Sequence, residues 1–193
     1  GVPASAAQLL AQRIVAAERD GTLSHGLMRL PDYLASIRAG WITPDAQPQV
    51  MAQCSPFVQV EGNNGFTQVA AEQALPEMMQ RVKQYGIALL SIRHAHHIGA
   101  LWTDLESYAE RGWVAFNFVN SRPRLAPYGA SVPLLGTNAM AIAFPDGKGR
   151  VSGWDQASCV MSLREVKQHA LREKPLPERV GVDANGHRLG FGY

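Results

Sequence analysis

Apolar positions recur at helical spacing from the start of the chain. Leu9, Leu10, Ile14 and Val15 share one face of a helix predicted over residues 6–19, with Ser5 placed to cap it. Gly21 and Thr22 break that pattern. Leu27, Leu30, Leu34 and Ile37 then predict a second helix over 25–39, whose regular part begins at Pro31, because proline suits the first turn of a helix. A loop with two prolines covers 40–49. Beyond it the period changes: 57–61 alternates as a strand and is predicted to stop at the turn signal Gly62-Asn63-Asn64-Gly65. Residues 67–85 are helical in period, interrupted at Pro76 and closed by Gly86. The apolar run 87–92 predicts a buried strand, followed by a helix over about 100–111 that Gly112 closes. Segments 113–120 and 139–144 are β-rich around a loop at 123–138, and 162–173 predicts the last helix. Residues 181–193 carry little pattern, and there is no internal repeat. Helices alternating with strands predict an α/β (α+β) layer architecture, a mixed sheet with flanking helices. The predicted organisation is a helical N-terminal segment, 1–50, followed by an α/β domain over 51–193.

Composition narrows the function classes. The chain has 193 residues, 46% hydrophobic and 18% charged, enough for one sizeable core or a core with a small helical appendage. Net charge is +2 with the basic residues scattered, which argues against a nucleic-acid partner and a polybasic membrane anchor. No apolar run approaches the roughly 20 residues of a membrane span. No signal-peptide pattern is visible, although the chain opens at Gly1 without Met. Cys54 and Cys159 lack metal-ligand spacing and are expected to be buried thiols, which suits a reducing cytoplasm.

Two segments could carry chemistry. RHAHHIGALWTDLE (93–106) sets His94, His96 and His97 at the end of the predicted buried strand, a common way to deliver titratable groups to a cleft. The same tract reads alternatively as a metal tract or a solvated turn. All three imidazoles cannot reach one metal from a single strand end without strain, and no helping carboxylate or thiolate is placed by the sequence. Gly99, with no Cβ, lets backbone approach whatever His97 touches. In the second segment, Ser24-His25-Gly26-Leu27-Met28-Arg29, a hydroxyl adjoins an imidazole suited to general-acid work near neutral pH. The plain alternative is a capping serine beside a surface histidine. Arg29 is suited to a bidentate grip on a small carboxylate, or to an ion pair with Asp32 or Asp20. The dinucleotide fingerprint of the doubly wound fold, the phosphate-binding P-loop, the zinc-protease helix motif and the nucleophile elbow are all absent. The residues by themselves describe a small-molecule enzyme with histidine acid/base chemistry and an arginine for an anion.

The ordered set SHGLMRLPDYL (24–34), HHIGALW (96–102), NSRP followed by APYG (120–129) and LLGTNAMAIAFP (134–145) resembles the malate/lactate dehydrogenase-like oxidoreductases over about residues 6–186. That family has a nicotinamide-binding fold unrelated to the Rossmann domain. The phrases ALWTDLE (100–106) and AERDGTLSHG (17–26) are most similar to its Δ1-piperideine-2-carboxylate / Δ1-pyrroline-2-carboxylate reductase branch. The resemblance implies NADPH- or NADH-dependent reduction of a cyclic imine carboxylate, or alternatively 2-hydroxy-acid dehydrogenation, in a homodimer. It implies that His25 protonates the substrate nitrogen with Ser24 as relay neighbour, that Arg29 and Thr137 face a small carboxylate substrate, and that Glu165 supplies the relay acid. His97, Ile98, Gly99, Ala100 and Leu101, with Asp155, Gln156 and Ala157, would line the cofactor. No metal is implied. Departures are visible as well: Glu165 stands where the branch has Asp, Ser158-Cys159 where Thr-Ser is usual, and members are longer than this chain. It is therefore expected to be either a piece of a longer enzyme or a short, non-catalytic relative.

Overall fold

The computed structural model describes residues 1–52, 55–177, 180–181 and 187. Cys54 and most of the patternless end lie outside the described residues. The chain divides into two compact units, Gly1–Gly99 and Ala100–Tyr193. The helical segment 1–50 belongs wholly to the first of them. Among the described residues no helix is long and apolar enough to cross a membrane.

In the first unit, α1 (Ala4–Arg19) is followed by two 3-10 turns, Leu23–His25 and Leu27–Arg29, and by α2 (Leu30–Arg38). Pro3, not Ser5, occupies the N-cap of α1, so Ser5 lies inside the helix and caps nothing. The regular part of the second helix does begin around Pro31. The predicted stripe of Leu27, Leu30 and Leu34 is exposed. Tyr33 enters the core instead, with Leu10, Ile14, Ile42 and Phe66, and Ile37 and Ile98 pack against them.

Sheet order in this unit is β1 (Gln49–Ala52), β2 (Phe57–Phe66), β3 (Leu89–His96), with β1 antiparallel and β3 parallel to β2. Gly62-Asn63-Asn64-Gly65 does not end the strand. Instead β2 runs through it, with a register shift between Glu61 and Gly65 and left-handed backbone at Asn63 (φ 49) and Asn64 (φ 63). Asparagine tolerates that region better than most residues, which is why the same letters serve as a turn or as a bulge. The parallel crossover is α3 (Thr67–Tyr85), ended by Gly86 at φ 74. Pro76 does not interrupt it; proline removes one helical N–H, and the surrounding turns are kept.

The second unit holds an antiparallel sheet ordered β4 (Ala115–Phe118), β5 (Met140–Pro145), β6 (Val151–Gln156). A 3-10 turn at Trp102–Asp104 and the short α4 (Glu106–Ala109) replace the single long helix expected there. Leu101, Leu105 and Ala109 pack against Ala141 and Ala143 on one face of the sheet. Strand β6 was not foreseen. The loop joining it to β5 is an Asp-Gly turn in which Asp146 accepts N–H bonds from Lys148 (2.7 Å) and Arg150 (3.1 Å), with Gly147 and Gly149 at positive φ. Helix α5 (Leu163–Leu171) follows, capped by Ser162.

Candidate active site

Two short turns present the SHG motif. Ser24 Oγ and His25 Nδ1 are hydrogen-bonded at 3.0 Å. The contact that adjacent positions alone did not guarantee is therefore made, because the 3-10 turn Leu23–His25 curls the two side chains together. Gly26 follows for a steric reason. A Cβ there would lie 2.1 Å from Glu18 Oε2 and 3.0 Å from Glu18 Cα, so the chain passes directly over α1. The same Glu18 oxygen accepts the Leu27 N–H at 2.8 Å and ties down the turn that carries Arg29. Glu18 was not among the candidate residues, although it lies inside the AERDG phrase. Arg29 is largely buried. Its Nη1 donates to Asp32 Oδ2 at 3.0 Å, and its Nε is buried without a partner. The ion pair with Asp32 anticipated as an alternative is thus present.

The histidine tract divides by role. His94 has left-handed backbone (φ 49), and its Nδ1 lies 2.9 Å from both oxygens of Glu61. Arg93 Nε donates to Glu61 Oε2 at 3.0 Å, and Asn63 N–H to Oε1 at 3.2 Å. The bonded His94 imidazole, with the Asn63 N–H and Arg93 adding to it, holds the Glu61 carboxyl below the usual carboxylate range. His96 Nε2 meets Asn64 Oδ1 at 2.6 Å. His94 and His96 are therefore occupied by the bulge of β2. His97 follows them at the strand's end. Ile98 accepts a hydrogen bond from the buried Tyr33 hydroxyl through its carbonyl, and a Cβ at Gly99 would find its nearest neighbour, Gln68 Nε2, at 3.5 Å. The backbone at Ile98 is thus anchored through its carbonyl, and a Cβ at Gly99 would make only ordinary contact with its neighbours.

In the second unit, Asp155 Oδ2 accepts the N–H of Leu101 at 2.7 Å and of Trp102 at 3.1 Å, holding the start of the helical turn to β6. Thr137 Oγ1 lies 3.0 Å from Ser121 Oγ, and its carbonyl accepts the Ser158 N–H at 2.8 Å. Ser121 and Asn138 exchange bonds: Ser121 N–H to Asn138 Oδ1 at 3.1 Å, and Asn138 N–H to Ser121 Oγ at 3.1 Å. A Cβ on Gly136 would sit 2.1 Å from the Ser121 carbonyl oxygen, so the NSRP and GTN phrases pack with no room for a side chain. Gln156 ends β6, and Ala157 follows it on the exposed surface. Glu165 is exposed and closes a capping box: its Oε2 accepts the Ser162 N–H at 2.8 Å, while Ser162 Oγ accepts the Glu165 N–H at 3.2 Å. Cys159 is a free thiol, half-buried, and burial raises its pKa. Among the described residues no group of three His, Cys, Asp or Glu side chains could hold a metal ion.

A serine-bonded histidine and an arginine held by Asp32 thus sit on successive turns of an α/β scaffold. The chain belongs to the malate/L-lactate dehydrogenase family, which matches residues 1–189. It is 38% identical over 186 residues to the Δ1-pyrroline-2-carboxylate/Δ1-piperideine-2-carboxylate reductase of Pseudomonas putida, covering 96% of this chain and 54% of that protein. It is 33% identical over 186 residues to the Δ1-pyrroline-2-carboxylate reductase 1 of Burkholderia ambifaria, covering 96% and 55%. The crystal structure of the Δ1-piperideine-2-carboxylate reductase from Pseudomonas syringae superposes with a TM-score of 0.93 at 38% identity, over 98% of this chain and 57% of that one. The chain thus spans about half the length of the curated relatives it matches.

Proposed function

We propose that the protein is an NADPH- or NADH-dependent reductase that converts a cyclic imine carboxylate, Δ1-piperideine-2-carboxylate or Δ1-pyrroline-2-carboxylate, to the cyclic amino acid. The observation that carries this reading is the 3.0 Å Ser24–His25 bond with Arg29 on the next turn. When the Ser24 hydroxyl donates to Nδ1, the imidazole carries its proton on Nε2, the atom then able to protonate a substrate nitrogen. Protonating an imine makes the adjacent carbon a better hydride acceptor. Arg29, held by Asp32, orients the substrate carboxylate and so places that nitrogen. Thr137 is assigned to the substrate, its hydroxyl steadied by Ser121. Glu165 is assigned to the proton relay; the capping box takes one carboxylate oxygen, and a carboxylate has acceptor capacity beyond it.

A nicotinamide nucleotide is the proposed cofactor. His97, Ile98 and Gly99 are assigned to it, with the Ile98 carbonyl held by the Tyr33 hydroxyl, and so are Ala100, Leu101, Asp155, Gln156 and Ala157. The bound dihydronicotinamide supplies the hydride, and the protein's task is position and protonation. The protein is further proposed to be a cytoplasmic homodimer. The exposed Phe116, Phe118 and Trp154 on the sheet of the second unit support a covered face.

The test is oxidation of NADPH, and in parallel NADH, with each cyclic imine and with pyruvate. Turnover with the imines supports the reading. Turnover with pyruvate alone replaces it with 2-hydroxy-acid dehydrogenation, which Arg29 would serve equally well. Absence of both, together with absence of saturable NADPH binding, would make the chain a piece of a longer enzyme or a non-catalytic relative.

A further inference from the structure

Glu61 lies outside every role assigned above, yet it organises the strand end from which His97 emerges. Its carboxylate holds Arg93 Nε at 3.0 Å and His94 Nδ1 at 2.9 Å. His94 is the one residue of β3 with left-handed backbone, at φ 49. A side chain with a Cβ is strained in that region, and the strain persists only where neighbours over-determine it. Three neighbours do so here. Glu61 grips the imidazole. Asn64 Oδ1, across the bulge, grips His96 at 2.6 Å. Gly62 makes the space: a Cβ on it would lie 2.8 Å from the His94 carbonyl oxygen and 2.6 Å from Ala95 Cβ. The register shift of β2 between Glu61 and Gly65 and the kink of β3 at His94 are therefore one matched device.

We infer that Glu61 is a positioning residue: through His94 it holds β3 in the kinked form that aims His97, Ile98 and Gly99 at the nicotinamide nucleotide. The inference rests on the function proposed above for the nucleotide, while its geometric half does not. Without the carboxylate, His94 is free to relax to an ordinary strand conformation, and the chain beyond it leaves the bulge of β2. Cofactor then binds only the fraction of molecules still kinked. The apparent Kd rises by the inverse of that fraction.

Two measurements on the protein and its variants decide it. Hydrogen exchange without cofactor reads the segment 93–99 directly, and NADPH fluorescence titration reads its consequence. Glu61→Ala is expected to speed exchange across 93–99 and to raise the NADPH Kd about tenfold, with kcat at saturating cofactor within about twofold, as release of one strained residue allows. The double variant Glu61→Ala/His94→Gly is the discriminating one, because glycine accepts positive φ without steric cost and needs no clamp. It is expected to recover most of the NADPH affinity, which a general loss of folding would not permit. Unchanged exchange in Glu61→Ala, or faster exchange with an unchanged Kd, overturns the inference, as does a double variant no better than the single one. A wild-type protein that binds no NADPH would overturn the cofactor reading instead, leaving the exchange data to judge the clamp alone.

Discussion

Asp155→Ala separates two roles that one carboxylate could play. The resemblance assigns this residue to the nucleotide, whereas the structure shows Oδ2 accepting the backbone N–H of Leu101 at 2.7 Å and Trp102 at 3.1 Å. These are donors at the start of a helical turn with no partner inside that turn, so Asp155 does from a distant strand what a capping side chain does locally. Hydrogen bonds to a charged acceptor contribute about 1.5–3 kcal/mol, and loss of a cap costs about 0.5–2 kcal/mol. Solvent is close to the Trp102 end, so the lower part of both ranges applies, and removal should cost about 1–2 kcal/mol. Asp155→Asn keeps one acceptor oxygen without the charge and should cost about half as much. Urea unfolding gives the total, and hydrogen exchange at the Leu101 and Trp102 amides gives the local term. Two compact units need not unfold together, so the exchange measurement carries the decision. If Asp155→Ala left both amides as protected as before while NADPH binding fell, the carboxylate would be a ligand of the nucleotide and not a structural cap.

Three further outcomes follow from the same contacts. His25→Ala should lower kcat for the imine by about 10²–10⁴-fold, the usual contribution of a positioned general acid, and leave the NADPH Kd nearly unchanged; equal losses of both would make the turn structural. Arg29→Lys should raise the Michaelis constant of the carboxylate substrate about tenfold or more, because one charge-assisted bond is lost from a grip that Asp32 orients, with a smaller effect on kcat. An unchanged Michaelis constant would remove Arg29 from the substrate. Glu61 and Asp146 both have folded-state pKa values below their ordinary ones, Glu61 chiefly through His94 and Asp146 chiefly through the Lys148 N–H. A depressed carboxyl stabilises the fold above its unfolded pKa and loses that contribution as pH falls through the folded value. Acid unfolding should therefore steepen below the ordinary carboxylate range, and Glu61→Gln should flatten that limb; identical pH profiles for variant and wild type would refute the assignment.

How far these contacts were legible in the letters depended on their range. Pro31 at the head of α2 and Gly86 at the tail of α3 were readable because each cause lies within a few residues of its effect. The stripe of Leu27, Leu30 and Leu34 misled because helical spacing marks a shared face without fixing which face meets the core, and Tyr33 takes that place. Gly62-Asn63-Asn64-Gly65 misled for another reason. A local turn signal was overridden by a distant partner, since Glu61 and Asn64 find His94 and His96 across the sheet and the strand continues. Strand β6 escaped notice although the Asp146-Gly147 turn before it was a usable cue. The unassigned parts of the candidate site are all of this long-range kind. Glu18 under Gly26, Ser121 against Gly136 and Glu61 against His94 lie between 8 and 33 positions from what they hold. Each pairs a glycine, or a strained backbone position, with a polar group that needs its space. A sequence names such a glycine without naming its neighbour. That division explains why the residues with chemistry could be proposed from motifs, while the residues that aim them had to be found in the fold.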